Sequence, residues 1–196
     1  MTDARVRTVD RLRGARWLST GGTAKVLTLL NKDGEEARVV GGAVRNALMG
    51  LPISDIDIAT TALPDEVMRR AKAANIRTVP TGVEHGTVTL LVDGQLYEVT
   101  TLREDVETFG RKAKVAFGRD WARDAERRDF TINALSASPE GLVHDYADGL
   151  DDLDARRVRF IGEPARRIAE DYLRILRFFR IHASYGEGPV DRESSP

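Results

Sequence analysis

Two aspartates one residue apart, in Ser54-Asp55-Ile56-Asp57, follow closely on the run Gly41-Gly42-Ala43-Val44-Arg45. Side chains alternate along a strand, so Asp55 and Asp57 are expected on one face, with Cα atoms roughly 7 Å apart. Carboxylates so placed can share a pair of magnesium ions, which sit about 3.5–4 Å apart in two-metal sites. Magnesium takes hard oxygen ligands and completes its shell with phosphate and water. One ion would lower the pKa of an attacking hydroxyl, and the other would clamp a triphosphate and its leaving group. Short motifs recur by chance, and the same pair also suits the wet side of a half-exposed strand. The glycine run adds a second, independent signal. Gly41 and Gly42 let the backbone approach phosphate oxygens, and the helix start behind them favours anions. Arg45, one turn into that helix, can fork onto a phosphate. Turn and acidic pair together point to nucleotidyl transfer.

A third carboxylate has two candidates. Glu98 lies between apolar residues in Leu96-Tyr97-Glu98-Val99, and Asp129 lies in Arg127-Arg128-Asp129-Phe130-Thr131-Ile132-Asn133-Ala134. Arg128-Asp129 reads either as an ion pair at a helix start or as a nucleotide contact, Arg on phosphate and Asp on ribose hydroxyl. Further on, Glu170, Arg174 and Arg177 recur at helical spacing, flanked by Asp171 and Arg180. Solvent-facing Glu–Arg pairs at this spacing contribute only about a few tenths of a kcal/mol. The alternative is a row of acceptors and donors that reads the edge of a base without a template. His85 fits a turn, while Trp17, Trp121 and Tyr97 fit either core positions or base stacking.

The elements that must hold these residues follow from periodicity and punctuation. Residues 38–40 read as a short buried strand and 43–49 as a helix stopped by Gly50 and Pro52. Residues 53–59 read as a strand and 64–74 as a helix with Asp65 and Glu66 in its first turn. Residues 86–92 and 95–102 form β-rich runs around Asp93-Gly94, a hairpin signal. The polar stretch 104–123 reads as a mobile loop, 129–137 as renewed order, 141–146 as a strand and 149–153 as a turn. The clearest helix is 164–183, with Ile168, Tyr172, Ile175, Leu176, Phe179 and Ala183 on one face. The resulting fold class is α+β, a mixed sheet with flanking helices followed by a helical segment.

Composition sets the outer bounds. The chain has 196 residues, 41% hydrophobic and 31% charged, with a formal net charge of −1. Bulk charge therefore does not mark a nucleic-acid binder, although residues 111–128 and 156–180 carry more basic than acidic groups. The absence of cysteine excludes disulfides and thiolate zinc sites. No apolar run reaches membrane-spanning length, so no membrane partner is expected and the cytoplasm is the default location.

Taken in order, these motifs resemble the class II CCA-adding enzymes and bacterial poly(A) polymerases of the polymerase β-like nucleotidyltransferase superfamily. The resemblance covers residues 38–183 and includes Arg103, Thr108-Phe109-Gly110-Arg111 and Glu170-Asp171-Tyr172-Leu173-Arg174. It implies magnesium on Asp55 and Asp57 and contacts from Gly42, Arg45 and Arg128 to the nucleotide, while Glu98 as a further metal carboxylate and Asp129 as a nucleotide contact rest on the reading of the residues above. It also implies that Asp171 and Arg174 read the base of CTP or ATP beside Glu170, with Arg177 and Arg180 in support. The segment 104–119 is expected to move between C and A addition. Asn46, Phe109 and Tyr172 depart from the usual Asp, Asp and Pro.

The implied reaction is addition of C and A to the 3′ end of tRNA with release of pyrophosphate. The alternatives are polyadenylation, or a truncated nucleotide- or RNA-binding head without turnover. The expected divisions are an N-terminal helical segment over 1–37, a nucleotidyltransferase head over 38–148, the start of a helical neck over 149–185 and a disordered tail over 186–196. Oligomeric state is left open.

Overall fold

The sequence Ala37-Arg38-Val39-Val40 puts alternate side chains on opposite sides of a strand, and Ala37 and Val39 are fully buried while Arg38 is only half-buried. That strand lies at the middle of the molecule. The computed structural model describes residues 6–79, 82, 85–109 and 112–189. In chain order the elements are β1 (Arg7–Val9), α1 (Arg16–Ser19), α2 (Gly21–Leu30), β2 (Ala37–Val40), α3 (Gly42–Leu48), β3 (Asp57–Thr60) and α4 (Pro64–Ala73). They continue with β4 (Arg77–Val79), β5 (Thr87–Val92), β6 (Gln95–Thr101), β7 (Arg103–Phe109), β8 (Lys112–Phe117) and α5 (Trp121–Glu126). A 3-10 turn (Thr131–Asn133), β9 (Ser136–Ala137), β10 (Val143–Asp145), α6 (Gly149–Asp154), α7 (Pro164–Glu170) and α8 (Leu173–Tyr185) complete the described chain.

Eight strands form one mixed sheet in the order β1-β10-β9-β2-β3-β6-β5-β4. Among the described residues its one parallel pair is β3 with β6, which sets Asp57 beside Glu98. One face carries the main core. Ile58, Val88, Leu90, Tyr97 and Val99 pack there with Val26, Leu27 and Leu30 of α2, Val44 of α3 and Val67 of α4. Each such side chain contributes about 1.5–3 kcal/mol when fully buried. The other face keeps a small apolar patch, Val40, Ala59 and Leu102 under Trp121, and is otherwise open for chemistry. Of the segment 1–37, expected to be helical, the described residues 6–36 supply two helices and also the edge strand β1, and residues 1–5 lie outside the described residues. The expected tail begins as irregular backbone at Gly186, and residues 190–196 lie outside the described residues.

Four local expectations change. The strand expected over 53–59 begins only at Asp57, because its partner β2 ends at Val40, opposite Asp57, where Gly41 turns the chain away. Asp55 therefore precedes the strand, and alternation does not govern its direction. The expected loop over 104–123 is a two-stranded hairpin, β7 with β8, followed by α5, whose amides at Ala122 and Arg123 are capped by the Asp120 carboxylate. Residues 110 and 111 of that stretch lie outside the described residues. The expected turn at 149–153 is helix α6, nucleated by Asp145, which accepts hydrogen bonds from the amides of Ala147, Gly149 and Leu150.

The largest change is in the last helix. It breaks at Asp171, whose backbone is extended (φ −156°, ψ 106°) and whose carboxylate accepts the Leu173 amide at 3.0 Å, restarting the helix as α8. The expected apolar face turns outward, with Tyr172 74%, Leu176 69% and Phe179 51% exposed. Phe178 and Ile181 are buried instead. Phe178 stacks on Phe160 at 5.5 Å, and Phe160 meets Phe130 at 4.8 Å.

Candidate active site

The open face of the sheet forms the floor of a cleft of about 680 Å³, with α8 as its far wall. Gly41 has φ +70°, a conformation that suits glycine, and a side chain there would point at the Arg128 guanidinium and the Asn133 carbonyl, each 3.7 Å away. The turn thus delivers the N-terminus of α3, beginning at Gly42, next to Arg128.

Asp57 lines the cleft on β3 with Glu98 beside it on β6. Asp57 is open to solvent on its cleft side, yet partial desolvation by its surroundings pushes the carboxyl pKa upward; Glu98 and Asp55 push the same way, and Arg128 opposes them. Asp55 does not line the cleft; it is exposed and accepts a hydrogen bond from the Ser54 hydroxyl at 3.1 Å. Among the described residues, no three carboxylates or imidazoles converge closely enough to hold a metal ion unaided. The like charges of Glu98 and Asp55 acting on Asp57 are nevertheless what a divalent cation relieves, and magnesium usually takes only one or two carboxylates plus phosphate oxygens. The residues present therefore fit such an ion.

Arg128 leaves the segment after α5, donates to Asp124 Oδ2 at 3.1 Å and acts electrostatically on Asp57. Asp124, which the sequence reading passed over, is 3% exposed and also takes two bonds from Arg127, at 2.9 and 2.6 Å. Burial favours its neutral form, but the charges of Arg128 and Arg127 more than offset this and hold its pKa below the usual value. Its spacing of three and four residues before Arg127 and Arg128 was the available signal.

Arg45 lines the cleft but is buried, and its fork is already engaged. It donates to Asn133 Oδ1 and to Asn46 Oδ1 at 3.0 and 3.1 Å, and its plane lies 3.7 Å over the Tyr185 ring. Burial lowers its pKa against the pull of Tyr185 and Asp129. Asn46 suits this arrangement: its amide also donates to the Pro52 carbonyl at 2.8 Å, which an aspartate could not do. Tyr185 had no sequence signal, since its partner lies 140 residues earlier in the chain.

The far wall brings Asp171, Arg174, Arg177 and Arg180 to the same cleft. Arg177 forms an ion pair with the buried Asp129. Glu170 faces a second, neighbouring cleft and is clamped by Arg174 at 2.6 Å and Arg167 at 2.9 Å. Its burial is outweighed by Arg174 and the nearby arginines, so its pKa is lowered. Tyr97 is core and His85 stands in the turn before β5, while Trp121 stacks under Arg38 at 4.1 Å. Among the described residues, no helix is long and apolar enough to cross a membrane.

An acidic pair on the open face of a mixed sheet, opposed by arginines from a glycine-turn neighbour and a helix, defines a class that sequence comparison identifies. The chain belongs to the Poly A polymerase head domain family, whose pattern matches residues 37–159. It is 44% identical over 177 residues to the mitochondrial CCA tRNA nucleotidyltransferase 1 of Danio rerio, a match covering 90% of this chain and 41% of that protein. The chain thus spans about two fifths of the length of such relatives. In three dimensions it is similar to the Bacillus stearothermophilus CCA-adding enzyme in complex with CTP, with a TM-score of 0.76, 36% identity and coverage of 87% and 40% of the two chains. A tRNA nucleotidyltransferase complexed with a primer tRNA and an incoming ATP analog matches with a TM-score of 0.69 and 28% identity, over 86% and 47% of the two chains. Nucleotidyltransferases of this family generally use divalent metal ions.

Proposed function

We propose that the chain is the catalytic head of a CCA-adding tRNA nucleotidyltransferase, with residues 38–148 as the head proper and 149–185 as the start of a helical neck. The 3′-hydroxyl of a tRNA attacks the α-phosphate of CTP or ATP, and pyrophosphate leaves. The observation that carries this reading is the convergence of Asp57, Glu98, Arg128 and the polar side of α8 on one cleft.

Asp55 and Asp57 would hold magnesium, with Glu98 in reserve, and the bound metal would activate the hydroxyl and neutralise the triphosphate. Arg128 and the α3 N-terminus at Gly42 face the phosphates, where a fixed guanidinium and helix amides stabilise added negative charge. Arg45 supports that wall from behind, its plane packed on Tyr185. Asp129 is a hydrogen-bond acceptor suited to a ribose hydroxyl and is held by Arg177. Asp171 accepts and Arg174 donates, matching the amino group and ring nitrogen that cytosine and adenine both present on their pairing edges. Arg180 and Arg177 add positive charge beside them, and Glu170 holds Arg174 in place.

The decisive experiment supplies the chain with magnesium, labelled CTP and ATP, and a tRNA lacking its CCA end. Incorporation of C followed by A supports the proposal. Long A tracts without C indicate a poly(A) polymerase, and metal-dependent CTP binding without turnover indicates a nucleotide-binding head.

A further inference from the structure

Arg167 belongs to α7 and does not line the cleft of Asp57, yet it joins two walls of that cleft. Its side chain is only 11% exposed. Nη2 donates to the carbonyl of Arg127 at 2.6 Å and to the carbonyl of Arg128. Nη1 donates to Glu170 Oε2 at 2.9 Å. The same Glu170 oxygen accepts from Arg174 Nη1 at 2.6 Å, and that nitrogen donates again to the Arg167 carbonyl at 2.6 Å. The bonds close a ring through Arg167, Glu170 and Arg174, and the Arg167 guanidinium ties that ring to the carbonyls of Arg127 and Arg128.

The ring has a physical cause. Helix α5 ends at Glu126, and carbonyls at a helix C-terminus lack intrahelical partners. A planar guanidinium can satisfy two successive carbonyls at once and still reach a carboxylate, whereas an ammonium presents a single point of charge. Because peptide units are planar, holding the carbonyls of residues 127 and 128 fixes both planes that flank Arg128, and so the direction in which its side chain leaves the main chain, and sets the plane that leads into Asp129.

We infer that Arg167 is a positioning residue that locks the Arg128–Asp129 backbone to α7 and, through Glu170, to Arg174. The phosphate-facing and base-facing sides of the cleft are thereby held as one unit. What the cleft binds rests on the function proposed above; the clasp itself does not.

The test compares the wild type with Arg167→Ala, Arg128→Ala and the double variant. The probes are inorganic tripolyphosphate, which carries no base, and CTP, each with magnesium, together with amide hydrogen exchange of the nucleotide-free chain. Arg167→Ala is expected to weaken tripolyphosphate about tenfold in the wild-type background and less than about twofold in the Arg128→Ala background, since interacting residues are non-additive. Exchange is expected to accelerate in peptides covering residues 124–131 and not in those covering α2 or β5. Equal losses in both backgrounds, no loss, or uniform acceleration of exchange would overturn the inference. If the wild type binds neither probe, the proposed function fails, and localised or uniform exchange alone decides the clasp. If Arg167→Ala does not fold, Arg167→Lys is carried through the same comparisons with the same criteria.

Discussion

The floor and the far wall of the cleft are built on different principles. The floor is a sheet in which Asp57 and Glu98 are neighbours by register, held by the backbone pairing of β3 and β6. The wall is a helix held by Phe178 and Ile181, by the Arg177–Asp129 pair and by the ring around Glu170. Ladder hydrogen bonds do not depend on which side chains are present, so the floor should keep its geometry when a side chain is removed. The wall depends on a few side chains and should lose alignment when one is cut. The cleft therefore joins a rigid acidic surface to a basic surface whose position is conditional.

The strongest challenge to this contrast is Asp57→Ala. Transfer should fall by about a thousandfold or more, while the melting temperature stays level or rises because the repulsion among Asp55, Asp57 and Glu98 is eased. Asp55→Ala should behave alike, and near-normal turnover in either variant would remove the metal assignment. Next in size is Phe178→Ala, which empties the aromatic nest beneath α8. It should cost about 3–5 kcal/mol in chemical denaturation, with the floor's hairpin of β5 and β6 protected from exchange until global unfolding. Early exchange of β5 and β6 would show that floor and wall are a single unit.

Arg177→Ala should have a smaller effect, about 1–2 kcal/mol, because it strands the buried Asp129 while Arg177 itself is half exposed to solvent. Nucleotide affinity should fall more than stability, and the reverse ranking would make the pair structural. A pH titration of stability probes the joint between the two regions. Asp124 has a folded pKa below its ordinary 3.8, so its contribution is complete above that value and is lost as pH falls through the lower folded pKa. Asp124→Asn should flatten the acid limb of the stability curve, and an unchanged limb would deny Asp124 that role. The smallest effect is expected for Leu176→Ser, within about 0.5 kcal/mol for this chain, because Leu176 is 69% exposed.

How much of this was readable before folding differs between the two regions in the same way. Asp93-Gly94 announced the β5–β6 hairpin, and both residues take the positive φ values, 53° and 80°, that such a turn needs. Gly41 and the short buried strand expected over 38–40 likewise marked the floor. The β7–β8 hairpin was missed because its charged residues give no apolar alternation for a reader to find. The break at Asp171 was missed because helical spacing continues across it: Ile168, Tyr172, Ile175 and Leu176 stay in phase even though the backbone does not. The outward turn of that apolar face was illegible for a related reason. Helix α8 carries apolar residues on more than one side, and only contact with Phe160 and Phe130 selects Phe178.

Local chemistry alone marked the turns at Gly41 and Asp93-Gly94, the strands β2, β5, β6 and β10, and the types of group available to the cleft, because each depends on a few neighbouring residues. Tertiary structure decided which groups meet. It gave Arg45 to Asn133 and Tyr185, Asp129 to Arg177, and the carbonyls after α5 to Arg167. A guanidinium has several donors and no preferred partner until one is brought within reach. Its role is therefore fixed by packing between distant segments, which no local spacing encodes.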